Sequence, residues 1–157
     1  DALAIYDYAM DAGGAEPEHI VVMGRSLGSG LATLLAAQRT VRAAILITPY
    51  DSILAVASRH YAWFPVERLL RHPFRSADLA RGVKAPGLFL MAANDNVIPP
   101  SHAEALAKAW AGRKSVHVLP GVGHHDIEAD PGYYDLINGF LQTVAPESRP
   151  GVQHAVL

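Results

Sequence analysis

The chain predicts an α/β fold, a mostly parallel sheet of about four strands flanked by helices, and three observations carry that prediction. Four short apolar runs, at 19–23, 43–48, 87–92 and 115–119, stand between longer amphipathic segments. The first three are apolar at almost every position, as strands covered on both faces must be, while the fourth alternates as an edge strand does. The stretches between the runs are long enough for the helical crossovers that parallel neighbours require. With 157 residues, half of them hydrophobic, the chain can bury about 70% of its unfolded surface in one domain.

In chain order, residues 1–10 look like the middle of a helix that ends at Gly13-Gly14, and the first residue is Asp1, so the chain is expected to be cut from something longer. The first strand runs into Gly24-Arg25-Ser26-Leu27-Gly28, followed by the helix-like stretch 29–37. A strand, a sharp turn and a helix around a G-x-S-x-G pattern make a nucleophile elbow, which lifts a serine hydroxyl to where a base and a substrate reach it. Gly24 and Gly28 are both expected to stand where a β-carbon would collide or where φ is positive.

Between the second and third strands, residues 49–86 hold Tyr50, Tyr61, Trp63, Phe64 and Phe74. The stretch, a lid-like insertion at about 50–85, reads equally as a helical pocket wall over Ser26 or as two helices packing aromatics into the core. After the third strand, Ser101 and Glu104 have capping-box spacing, and Ala103, Leu106, Ala107 and Trp110 repeat on one face. Asp130-Pro131 supplies a cap and a first helical proline, and Tyr133, Leu136, Ile137, Phe140, Leu141 and Val144 then follow helical spacing. That last helix is expected to lie flat on the sheet. The domain therefore spans 1–146, and the patternless tail 147–157 reads as mobile.

Composition removes several function classes. Net charge is -2 and the 13 Lys+Arg are scattered, so no basic stripe offers itself to nucleic acid. No apolar run approaches the roughly 20 residues of a membrane span. Zero cysteines exclude disulfides, thiolate metal sites and a cysteine nucleophile without fixing the compartment, for which the cytoplasm is favoured.

A serine nucleophile needs a base to take its proton and an acid to orient the base. Asp95 follows the third strand in Asn94-Asp95-Asn96-Val97-Ile98-Pro99, and a histidine follows the fourth in Gly121-Val122-Gly123-His124-His125-Asp126. Both loops leave the C-terminal edge of the sheet, where open α/β sheets gather their sites. The three motifs, in this order, resemble the α/β-hydrolase superfamily over nearly the whole chain. The histidine loop looks like that of the branch holding depalmitoylating thioesterases and many bacterial hydrolases of unassigned substrate.

The resemblance implies a serine hydrolase of esters or thioesters that works through an acyl-enzyme and needs no cofactor. Ser26 would be the nucleophile, Asp95 the orienting acid, His124 the general base and the Leu27 N–H an oxyanion donor. His124 is preferred to His125 because it directly follows Gly123. Asp51, after the second strand, is a rival acid that reads better as a helix cap. A metal site at His124-His125-Asp126 is disfavoured because adjacent histidines diverge. His19, His60, His72, His102, His117 and His154 read as surface or satisfied core residues, and Arg25 as partner either of a substrate carboxylate or of a nearby acid.

The resemblance also implies about eight strands, of which this chain would hold the later half. The H-G motif that supplies a second oxyanion donor does not precede Ser26, and one such donor is worth about 10²- to 10³-fold in rate. The first strand is then expected to be an open edge that pairs with another copy of the chain or with a missing N-terminal half. Alternative readings are a peptidase of the oligopeptidase type and a non-catalytic truncated hydrolase that acts by pairing.

Overall fold

The computed structural model describes residues 1–145 except 62, 71 and 72, so the tail, His72 and His154 lie outside the described residues. Four strands, β1 (Val21–Arg25), β2 (Ala43–Ile47), β3 (Gly87–Ala92) and β4 (Lys114–Leu119), form one sheet in the order β1-β2-β3-β4, every neighbour parallel. The helices are α1 (Ala2–Asp11), α2 (Leu27–Gln38), α3 (Ile53–His60), α4 (Val66–Leu69), α5 (Ser76–Ala80), α6 (Pro100–Ala109) and α7 (Tyr133–Val144). This is the predicted α/β architecture, and it sends the chain out of all four strands at one edge of the sheet.

β1 starts and ends two residues later than its apolar run implies. Pro17 opens a 3₁₀ turn over Pro17–His19, which the Ile20 N–H closes on Pro17 O, and pairing then continues to Arg25 opposite Ile47.

Side chains alternate across the sheet and build two cores. On one face Val22, Leu46, Phe89 and Met91 meet α1, α2, α5 and α6 through Tyr6, Ala32, Ala80, Leu106 and Trp110. On the other, Ile45, Ile47, Leu88 and Leu90 meet α7 through Tyr133 and Ile137. β2 and β3 are therefore buried at every position, as their unbroken apolar runs require.

Two expected caps are replaced. α6 begins at Pro100 with Pro99 before it, so Ser101 lies inside the first turn and caps nothing. α7 begins at Tyr133, because Asp130 closes a turn first: its carboxylate accepts from Gly132 N at 2.8 Å and its carbonyl from Tyr133 N at 3.0 Å.

Among the described residues β1 is an edge, with β2 as its one partner in the sheet. α7 does not reach across it: Met23 is 54% exposed and Leu141, expected in the core, is on the surface. On the opposite face Ile5 and Tyr8 of α1 point into solvent.

Candidate active site

The elbow is built on strain at one residue. Ser26 has φ 52 and ψ -123, a conformation costing of order 1–3 kcal/mol that persists only where its surroundings over-determine it. They do so here. The Ser26 N–H donates to Ile47 O at 2.9 Å, and its carbonyl accepts from Ser29 N at 2.9 Å and Ser29 Oγ at 2.6 Å. Neither flanking glycine carries the positive φ, which is a correction to the expectation. A β-carbon on Gly24 would stand 2.3 Å from Gly28 O, so that glycine is a steric necessity, whereas one on Gly28 would meet nothing within 4 Å.

The three predicted side chains come together. Asp95 lies in the loop after β3, where its Oδ1 accepts from Val97 N at 2.9 Å and from Ile98 N at 2.7 Å. These bonds aim Oδ2 at His124 Nδ1, 2.7 Å away. The imidazole then presents Nε2 at 2.8 Å from Ser26 Oγ. A carboxylate only accepts, so Nδ1 carries the proton and Nε2 is left to accept from the serine hydroxyl. The Asp95 and His124 side chains are 1% and 6% exposed, which keeps water from competing for these bonds. Leu27 opens α2, and its N–H is one of the first four helix amides, which have no partner within the helix.

His125 packs edge-on against His124, ring centroids 5.2 Å apart, and forms none of these bonds. Arg25 resolves toward a neighbouring acid: its guanidinium meets Glu128 at 3.0 Å and donates to the His124 carbonyl at 2.9 Å, bracing the histidine loop. Gly123 N donates to Asp126 Oδ1 at 2.7 Å and closes that loop.

Asp51 is neither rival acid nor helix cap. Ser52 caps α3 through Ala55 N, while the Asp51 carboxylate accepts from Ser52 N and from Nδ1 of His102, each at 2.8 Å. His102, expected on the surface or satisfied, is buried with Nε2 unpartnered. At the far end of α3, His60 Nε2 donates to Val97 O at 2.8 Å. Both ends of α3 are thus tied to the segment around the Asp95 loop. The spacing of 51 residues between Asp51 and His102 gives no local signal for this.

Tyr50 is another residue whose place the sequence does not mark. It is fully buried under the elbow, its hydroxyl donating to Leu27 O at 3.3 Å and standing where a β-carbon on Gly30 would be. Burial pushes its phenol above the usual tyrosine value.

A family model described as serine hydrolase matches residues 9–143. The chain belongs to the serine hydrolase family. A protein of Mycobacterium tuberculosis described only as uncharacterised is 35% identical to this serine hydrolase over 147 residues, covering 92% of the chain and 52% of its own length. Alpha/beta hydrolase domain-containing protein 17C of Xenopus tropicalis is 31% identical over 137 residues, with 86% and 42% covered. The acetyl xylan esterase of Paenibacillus sp. R4 superposes with a TM-score of 0.75 at 20% identity, over 91% of this chain and 51% of the esterase. The serine hydrolase thus has an α/β-hydrolase fold and spans about half the length of the curated relatives it matches.

Proposed function

We propose that this serine hydrolase cleaves carboxylic esters or thioesters of small molecules through an acyl-enzyme intermediate. One observation carries the reading: the continuous relay from Ser26 Oγ through both His124 nitrogens to Asp95 Oδ2, at 2.8 and 2.7 Å. Ser26 Oγ attacks the substrate carbonyl while His124 Nε2 takes its proton; the same proton then goes to the departing alkoxide or thiolate as the C–O or C–S bond breaks. Water then attacks the acyl carbon while Nε2 takes one of its protons; as the bond from the acyl carbon to Ser26 Oγ breaks, Nε2 returns that proton to Oγ, leaving a free serine hydroxyl and a carboxylic acid. Asp95 holds the imidazole tautomer and faces the imidazolium that forms. The Leu27 N–H stabilises the oxyanion.

Turnover of p-nitrophenyl esters beside peptide p-nitroanilides tests the reading, with ester hydrolysis expected to be the faster. Amide turnover exceeding ester turnover would assign the peptidase chemistry instead.

The open edge supports a further part of the proposal. An unpaired row of N–H and C=O groups, flanked by the exposed Met23, templates another strand, so β1 pairs with a second copy or with a segment that supplies neighbouring strands. Sedimentation at micromolar concentration is expected to show association; a compact, stable monomer would remove this part and leave the hydrolytic reading standing.

A further inference from the structure

The helical segment between β2 and β3 carries a charge and an apolar surface that the chemistry at Ser26 does not use. Residues 52–77 hold four arginines (59, 68, 71 and 75) against the single acid Glu67, a net charge of +3, so the remainder of the chain, at 9 Lys+Arg and 14 Asp+Glu, is -5. Among the described residues, Arg59, Arg68 and Arg75 are exposed and none has an ion-pair partner. Asp78, just beyond, is occupied by Arg81 at 2.7 Å.

Between these cations protrudes an apolar cluster. Trp63 is 91% exposed, and Tyr61, Phe64 and Leu69 are all exposed beside it. Tyr61, Phe64 and Leu69 border a groove of about 400 Å³ whose other walls are Ala57, Val66 and Leu70, without a charged residue. Leaving four large apolar side chains together in water is unfavourable, at roughly 25 cal/mol per Å² of apolar surface. The helix that begins the segment, α3, leaves the same sheet edge as Ser26, and His60 ties its end to the Asp95 loop.

We propose that this segment is a docking surface for an anionic lipid bilayer. Trp and Tyr rings are amphipathic and settle at headgroup depth, Phe and Leu enter the acyl boundary, and guanidinium groups meet lipid phosphates and carboxylates. The charge favours a membrane face: a segment that sums to +3 in sequence, on a chain that is otherwise -5, suits a negative surface better than a neutral one. The chain docks with the edge that carries Ser26 facing the lipid.

The chain has two tryptophans, and Trp110 is 2% exposed, so a change in emission on docking reports Trp63. The test is titration with phosphatidylcholine vesicles containing about 30% phosphatidylserine, and with pure phosphatidylcholine vesicles, followed by co-sedimentation and tryptophan emission. Expected are co-sedimentation and a blue shift with the anionic vesicles, weaker on neutral ones, and release at about 1 M salt, where the Debye length is about 3 Å. Each arginine near an anionic surface strengthens binding about fivefold, so the triple variant Arg59→Gln, Arg68→Gln, Arg75→Gln is expected to bind about 100-fold more weakly. Trp63→Ala is expected to lose at least about tenfold. Both variants alter exposed side chains, and unchanged circular dichroism establishes that they fold. No binding to anionic vesicles, equal binding to neutral ones, or undiminished binding by the folded triple variant would each overturn the proposal.

Discussion

Replacing Ser26 by alanine is expected to abolish covalent labelling by a fluorophosphonate and to lower ester turnover by about 10⁵- to 10⁶-fold, the loss typical of a serine nucleophile. The probe would form its bond to the serine oxygen, and among the described residues the hydroxyl that partners His124 Nε2 is Ser26 Oγ, at 2.8 Å. His124→Gln is expected to cost about as much, because a glutamine amide cannot accept the proton and return it. Asp95→Asn is expected to cost about 10⁴-fold, less than either, since it leaves nucleophile and base in place but favours the wrong imidazole tautomer. The order Ser26 ≈ His124 > Asp95 is the content of the prediction. Combining two of the substitutions is expected to add little to the larger single effect, since the mechanism proposed above has the three side chains acting as one relay. Equal labelling of the Ser26→Ala and parent chains, measured by intact mass, would take the serine out of the chemistry.

What could be read from the residues alone follows the range of the forces involved. β2 and β3 were legible because a strand buried on both faces must be apolar throughout, and both are buried at every position. The convergence of Ser26, Asp95 and His124 was legible because parallel strands deliver their following loops to one edge, whatever the helices between them do. The limits of β1 and α7 were not, because Pro17 and Asp130 close small turns of their own before the regular element starts. The partnership of Asp51 with His102 and the burial of Tyr50 beneath the elbow are pairings across 51 and 23 residues. Nothing in local spacing marks them, since the first depends on where α6 brings His102 beside the start of α3 and the second on where the chain leaving β2 passes α2. The aromatics of the 50–85 stretch divided for the same reason: Tyr50 went to the core, while Tyr61, Trp63 and Phe64 stayed in solvent.

The two glycines of the elbow look equivalent in sequence and are expected to behave oppositely when substituted. In Gly24→Ala the new β-carbon would stand 2.3 Å from Gly28 O, 2.6 Å from Gly28 C and 2.8 Å from Ser29 Cα. All three are backbone atoms of the first turn of α2, and none can swing aside as a side chain does. Relief requires moving α2 off β1, which strains the packing of Ala32 and Ala36 against the sheet, and the expected cost is about 3 kcal/mol or more. At this chain length that corresponds to a fall in Tm of about 10 °C. The same movement drags Ser26 away from His124, and a displacement of about 1 Å costs about 10²-fold in rate, so fluorophosphonate labelling is expected to slow even below the transition. Gly28→Ala places its β-carbon in open space, at a helical position where alanine is intrinsically preferred. Its Tm is expected to stay within about 2 °C of the parent or to rise, because alanine restricts the unfolded chain. Thermal unfolding of the two variants side by side decides the matter: a Gly24→Ala protein as stable as the parent would mean that the close approach of strand and helix, which holds Ser26 in its strained conformation, is not what fixes the elbow.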